Sequence, residues 1–443
     1  MKDLTRGKVS KLIISFALPV FLGNLLQLTY SIADTRIVGS FLGEGALAAV
    51  GSTSTISNLI IGFLLGTANG FAIITAQCFG AGNTKRVKKS FAMAIMIGTV
   101  VSLSLTIAGV LGIDAILHFL NVPKQLFEEA KQYILIIIAG LGITMFYDIL
   151  AGVMRAIGDT ITPLLILAVS VILNVVGDFL FVGVFQTGVW GAAAATVLAQ
   201  FLALIACVLY MIKRYEILHL RKEDFQEPEK AMLKNMLNSG FSMGFMSSLV
   251  NIGSLTLQTA INRLGQNIIV AHTAARKITE IYMIMLSVFG QTMATFCGQN
   301  MGAGKIDRIR EGMKLSVLYT FLWSVLVMIT SYTIGEELVY MVTGTHSAVV
   351  IKNASDYLKF DTLFYFVPSL ISIIRNVMQG IGDHITPLVS STLEMVGKIV
   401  IAATLVPMFH YTGVIVAEPI VWFVMVIPLI IQIMRSPVMK KKK

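Results

Sequence analysis

Charge is what this sequence has little of. Only 13% of its 443 residues are Asp, Glu, Lys or Arg, against 56% hydrophobic residues, roughly half the charged fraction of an ordinary soluble domain. A water-soluble chain of this size keeps a large exterior that polar side chains must wet. Thirty-four Lys and Arg with 24 Asp and Glu cannot cover it. The shortage excludes disorder and counts strongly against a soluble enzyme. Lipid must cover the outside, which makes the chain an all-α integral membrane protein whose main partner is the bilayer. Cysteine is scarce too. Cys78, Cys207 and Cys297 lie in apolar runs without CxxC spacing, which argues against a disulfide framework or a zinc site. The histidines, His118, His219, His272, His346, His384 and His410, stand singly, which argues against a metal-dependent membrane enzyme. There is no GxxxxGK[ST] motif and no polar region large enough for an ATPase, so any work the chain does should draw on an ion gradient.

What is present is a succession of apolar runs of the length a bilayer requires, about 20 residues each. Twelve are expected, at 12–41, 47–78, 88–111, 128–154, 160–185, 188–212, 233–263, 267–299, 311–334, 350–378, 384–406 and 412–434. The first follows Lys2, Arg6, Lys8 and Lys11 and so imitates a signal peptide. No small-residue cleavage site follows it, so it reads as a retained span. With the N-terminus in the cytoplasm, about 25 of the 34 Lys and Arg fall on the cytoplasmic side, and Arg36, Lys124, Lys131, Arg263 and Lys352 fall outside. That bias places both termini in the cytoplasm. The net charge of +10 then reports topology and contact with anionic headgroups, and it carries no implication of nucleic-acid binding.

The polar stretch 213–232, KRYEILHLRKEDFQEPEKAM, divides the chain into an N-lobe, 1–212, and a C-lobe, 233–434, with a basic tail at 435–443. The lobes repeat each other. QCFGAGNTKRVKKS from Gln77 aligns with QNMGAGKIDRIREG from Gln299, an offset of 222, and GDTITP from Gly158 aligns with GDHITP from Gly382, an offset of 224. Six spans per copy keep the same membrane orientation, so the expectation is two pseudo-symmetric six-helix lobes in parallel repeat. Gly80, Gly82, Gly302 and Gly304 supply permissive backbone at the turns. Asp159 and Asp383 are placed to cap the helices that follow, with Pro163 and Pro387 in the first turns.

The doubled six-span plan, the paired Gln-x-x-Gly-Ala-Gly and Gly-Asp-x-x-Thr-Pro turns and the first-span sequence LPVFLGNLLQLTYSIADTRIVG resemble the multidrug and toxic compound extrusion (MATE) family. The likeness runs over essentially the whole chain. It implies a bacterial plasma-membrane antiporter that uses inward Na+ or H+ flow to export organic, cationic and amphipathic molecules as a monomer. The coupling ion would be its only cofactor, and none is bound covalently. A flippase for a lipid or a lipid-linked saccharide is the alternative, favoured if a cavity ringed by basic groups such as Arg276, Lys277, Lys398 and Lys359 meets a phosphate.

Ionisable groups inside spans are functional suspects. Asp34 lies ~35 Å along the first helix from Lys11, Asp178 ~27 Å up span five, and Thr196 ~12 Å down span six, so all three reach the outward half. Asn174 and Asp178, four apart, share a face. Two carboxylates, an amide and a hydroxyl form an oxygen set suited to a hard cation or a proton. The set also looks like the N-lobe cation site of prokaryotic MATE transporters, and that resemblance adds the backbone carbonyl of Ala192. Two acids held together in an apolar setting favour sharing a proton or a cation.

The 224 offset puts Lys398 opposite Asn174 and Ala402 opposite Asp178, and the 222 offset puts Thr256 opposite Asp34. The C-lobe thus lacks the acids at equivalent places and carries an ammonium instead, held by Glu394 one turn away or by Glu280 on span eight. Glu280 itself either attracts a cationic substrate or pairs with Arg276. Gln27, Tyr30 and Asn58 are candidate cavity residues. Pro19 in span one permits a kink.

Overall fold

The computed structural model describes residues 2–120, 122–226 and 229–440. Among them every regular element is helical. The first helical run, Val9–Gly80, has 72 residues, about 108 Å at 1.5 Å per residue and far beyond the ~30 Å hydrocarbon core. It is two spans, parted at Gly43, whose φ of 84° and ψ of −174° lie outside the helical region. Pro19 sits inside the first of them, where the backbone dihedrals stay helical.

Span three is Thr84–Phe119. Span four is the pair Phe127–Ala139 and Leu141–Ala156, bent by 44°. A Cβ on Gly140, at that bend, would stand 2.7 Å from the Val197 side chain, so the bend lies where span six crowds closest. Span five, Ile161–Asp178, continues into the π-helical turn Phe179–Val184, and span six is Val189–Arg214. Spans seven to nine are Lys230–Ile261, Gln266–Gly302 and Ile306–Thr343. Span ten is Ala348–Leu363 with Phe366–Gly380, bent by 54°. Span eleven is Ile385–Ala403, and span twelve is built from Tyr411–Ile415 and Ala417–Arg435. The twelve spans follow the expected order.

Both repeated motifs close helices in the same way. In the Gly-Ala-Gly turns only the second glycine uses the left-handed region: Gly82 has φ +70° and Gly304 φ +68°, while Gly80 and Gly302 remain the last helical residues. Gly82 N donates to Phe79 O (2.9 Å) and Asn83 N to Cys78 O (3.2 Å), matched by Gly304 N to Met301 O (3.0 Å) and Lys305 N to Asn300 O (2.8 Å), the paired bonds of a Schellman cap. Gly158 (φ +83°) and Gly382 (φ +96°) make the same cap. Asp159 then accepts from Ile161 N and Thr162 N, both at 3.1 Å, and Asp383 accepts from Ile385 N and Thr386 N at 3.1 and 3.0 Å. Each aspartate thereby satisfies N–H groups that a helix start leaves open.

The chain forms two compact units, Met1–Asp3 with Leu18–Gly244 and Leu4–Ala17 with Phe245–Lys443. They do not coincide with the halves on either side of 213–232, because spans one and seven are each divided between units. In the first unit, Ser239 Oγ of span seven donates to Gly70 O of span two at 2.9 Å. A Cβ on Gly70 would stand 2.5 Å from Ser239 O, and one on Gly66 2.5 Å from Met243 O. Backbones pack that closely only where glycine allows it. Among the described residues, span seven is long enough to cross the membrane yet too polar to be recognised as a span by composition; protein, not lipid, covers the residues of its first half that meet span two. In the second unit, Gln299, Asn300, Lys305 and Arg308 of the second Gly-Ala-Gly turn grip the lead-in to span one. Gln299 Oε1 accepts from Leu4 N (2.9 Å), Asn300 Nδ2 and Arg308 Nη2 donate to Leu4 O (both 3.2 Å), Lys305 Nζ donates to Thr5 O (2.8 Å) and Arg308 Nη1 to Gly7 O (2.9 Å).

Candidate functional site

In the first unit, spans one, five and six bring Asp34, Asn174, Asp178 and Thr196 together. Asp178 is fully buried, with Asn174 and Ala192 close to it in burial. The Asp34 and Asp178 carboxyls lie within hydrogen-bonding reach of each other. With the Asn174 amide oriented to satisfy both its ends, Nδ2 donates to Asp178 Oδ2 (3.1 Å) and Oδ1 accepts from Thr196 N (3.1 Å). The i,i+4 spacing on span five thus becomes a direct contact that fixes the Asp178 rotamer. Thr196 Oγ1 donates to Ala192 O (3.1 Å) and pairs with Tyr30 OH (3.1 Å). Tyr30, a cavity candidate by sequence, instead belongs to this cluster. Asp34 Oδ1 and Asp178 Oδ1 are buried without a hydrogen-bond partner. Two inward-facing carboxylate oxygens, one from each of two spans, have open lone pairs that a proton or a small cation can take.

Two features of this site were not legible beforehand. Tyr133 of span four packs on the apolar cluster of Val38, Val182, Val189 and Ala192, within electrostatic reach of both aspartates; its segment, QYILIII, reads as plain apolar span. The π-helical turn begins at the residue after Asp178, the kind of local irregularity that clusters at functional sites, and nothing in FLFVGV announces it. Arg36 forms no ion pair with Asp34 among the described residues. Gln27 and Asn58 are exposed on spans one and two. No cluster of three or more His, Cys, Asp or Glu suited to a metal occurs among the described residues.

The second unit corrects the sequence reading of its charges. Lys398 Nζ meets Glu394 Oε1 at 3.1 Å, as one alternative held, but its second carboxylate is Glu418 Oε1 of span twelve, at 3.2 Å, and not Glu280. Arg276 Nη1 also turns to Glu418 (3.6 Å) rather than to Glu280. Glu280 is exposed, on the face of span eight opposite the packed residues Ala275, Ile278, Thr279 and Tyr282. Arg375 Nη2 of span ten approaches Glu394 Oε2 at 3.7 Å. The C-lobe therefore keeps buried acids, Asp361, Glu394 and Glu418, at places not equivalent to Asp34 and Asp178. Glu418 lies within the apolar run 412–434 at a position that neither offset relates to Asp34 or Asp178.

Twelve helical spans in a twofold internal repeat, with a buried carboxylate pair in the first unit, define a multi-pass membrane transporter. The family model MatE matches residues 19–180 and again residues 243–404, two matches displaced by the 224 residues that separate the Gly-Asp-x-x-Thr-Pro turns. The chain belongs to the MATE family. It is 26% identical over 392 residues to the probable multidrug resistance protein YpnP of Bacillus subtilis (strain 168), covering 88% of this chain and 87% of that one. It is 24% identical over 399 residues to the probable multidrug resistance protein NorM of Thermotoga maritima, covering 88% and 83%. Its fold superposes on the outward-facing conformation of a multidrug resistance MATE family transporter of the MOP superfamily with a TM-score of 0.91 at 22% identity, covering 99% and 98% of the two chains.

Proposed function

We propose that this chain is a cation-coupled multidrug exporter of the bacterial plasma membrane, with both termini cytoplasmic, and that Asp34 and Asp178 bind the coupling Na+ or H+. The observation that carries this is the meeting of two carboxyls from spans one and five, each with a buried oxygen lacking a partner. Such a pair is costly when both groups are ionised and empty, and it is relieved by one cation or one proton. Asn174 holds Asp178 through its amide N–H, and the Thr196 hydroxyl and Ala192 carbonyl lie beside the pair, so that a turn of the Asn174 amide would offer a bound cation a further oxygen. Binding at such a site shifts the balance between alternating-access states by its differential affinity for them. The names of the relatives support organic drugs as the exported class, taken as monomeric transport across the bilayer.

Basic groups facing a phosphate would have favoured a lipid or lipid-linked saccharide. Of the four candidates, Arg276 pairs with Glu418, Lys398 with Glu394 and Glu418, and Lys359 with Glu336 at 3.6 Å. Only Lys277 has no acidic partner among the described residues, which supports the cation exporter.

The test is dye efflux in inverted membrane vesicles under a Na+ or a H+ gradient. Asp178→Asn, which keeps the Asn174 contact but removes the charge, should reduce gradient-driven efflux at least tenfold. Undiminished, gradient-dependent efflux after loss of both Asp34 and Asp178 would falsify the assignment.

A further inference from the structure

We propose that Glu394 and Glu418 form a monovalent-cation site in the second unit whose occupant is the chain's own Lys398 ammonium, so that this unit is permanently loaded and only the first exchanges an ion. The occupancy of the Glu394–Glu418 site stands on geometry alone; the statement about exchange rests on the coupling role of Asp34 and Asp178.

Lys398 is 3% exposed and its ammonium has three close oxygens from three spans: Glu394 Oε1 at 3.1 Å, Glu418 Oε1 at 3.2 Å and Ser254 Oγ at 3.3 Å. That is the donor set of a bound cation, one for each ammonium hydrogen. The side chain runs close against Gly253 of span seven: a Cβ there would stand 3.3 Å from Lys398 Cδ and 3.0 Å from Met395 Cα. The stem is therefore pressed between spans seven and eleven, and the charged end is held at a fixed place.

The neighbouring ion pairs show what the occupant does. Arg375, Lys398 and Arg276 face Glu394 and Glu418 in one alternating chain, Arg375–Glu394–Lys398–Glu418–Arg276. Asp361, buried and with Oδ1 unpartnered, lies within electrostatic reach of Arg276, Glu418 and Lys398. Remove Lys398, and Glu394 and Glu418 keep only the longer arginine contacts, at 3.7 and 3.6 Å, while the three oxygens that meet at the ammonium lose their shared donor, a loss that is costly for buried acids.

The first unit presents the contrasting case. Its carboxylates face one another, and the residue that the repeat places opposite Lys398 is Asn174, a neutral amide. One unit leaves an oxygen of each acid without a partner, and the other has the cation built in.

The experiment measures thermal unfolding of the full-length purified protein in detergent, with choline chloride holding ionic strength constant. Asp34→Asn/Asp178→Asn silences the first unit, and this variant should show no rise of melting temperature with NaCl or KCl. Adding Lys398→Ala should lower the melting temperature and create a response to n-propylammonium, which replaces the deleted Cγ–Cδ–Cε–Nζ atoms, with recovery of at least ~2 °C at saturation. Tetramethylammonium, which has no N–H donors, should not restore it. A folded, monodisperse Lys398→Ala protein indifferent to n-propylammonium overturns the site, and so does a Lys398→Met protein as stable as its parent, a comparison that stands even if the alanine variant fails to fold. A Na+-dependent rise in the silenced protein with Lys398 intact overturns the claim that only the first unit exchanges. If the unmutated protein itself shows no response to Na+ or to pH, the coupling role of Asp34 and Asp178 fails while the n-propylammonium result still decides the Lys398 site.

Discussion

The two capping aspartates do more than the spacing of their motifs discloses. Asp159 accepts from two backbone N–H groups and the Thr162 hydroxyl (2.6 Å), and the Tyr215 hydroxyl beyond span six also donates to it. In the repeat, Gln432 Nε2 of span twelve donates to Asp383 at 3.2 Å. Each turn is thus tied to the last span of its own repeat. Burial acts to raise the Asp159 pKa, but the hydrogen bonds from Thr162 and Tyr215 outweigh it and hold the group below its ordinary value. A depressed carboxyl contributes stability that is present above the unfolded pKa of ~3.9 and lost as pH falls through the folded value. Melting temperatures recorded from pH 6 to pH 3 should therefore fall less steeply for Asp159→Asn than for the unmutated protein. At neutral pH, Asp159→Ala should cost about 1 kcal/mol, the usual loss of a cap. The caps were legible because a Gly-Asp before a Thr-Pro specifies its own geometry within a few residues. Glu418 and Tyr133 were not, since their partners come from spans far away in sequence, and no local pattern encodes which helix a side chain will meet.

At the level of the helix, breaks and close approaches matter more than length. The break between spans one and two fell where a gap was expected, at Gly43, because glycine there has φ +84° and other residues resist that region. The polarity of span seven has a different origin, the Gly66 and Gly70 contact with its first half. Substituting Gly70→Ala drives a methyl group to 2.5 Å from a backbone oxygen, whereas Gly23→Ala meets only the Leu167 and Leu164 side chains at 3.6 and 3.8 Å. Gly70→Ala should lower stability by about 1–3 kcal/mol through overpacking and reduce the yield of folded protein in size-exclusion chromatography. Gly23→Ala should leave both nearly unchanged. The π-helical turn after Asp178 belongs to the same class: it is a property of how span five packs, and the apolar run that forms it is compatible with an unbroken α-helix.

For the molecule as a whole, the internal repeat was readable from two short motifs, and the family matches reproduce its offset. What the repeat did not disclose is that each compact unit includes the N-terminal end of the other half's first span, residues 4–17 in one case and residues 230–244 in the other. The first Gly-Ala-Gly turn has a related tie to the segment leading into span seven, where Arg86 pairs with Glu229 at 2.9 Å. A chain cut within residues 219–226 should consequently yield two fragments that are unstable when expressed singly, each missing one lead-in helix, yet that restore a folded complex when co-expressed. Recovery of either fragment alone as a stable, monodisperse protein would contradict the shared architecture.

That exchange bears on ancestry. A single six-span repeat, before duplication, would have had no second half to receive its leading segment, and its Gln-x-x-Gly-Ala-Gly turn would have faced an empty groove. It becomes complete when two copies trade their N-terminal arms, as in a domain-swapped homodimer. On this view fusion of the genes turned an exchange between molecules into one within a chain. It also freed the copies to diverge, one keeping its buried acid pair and the other growing a lysine into the equivalent region.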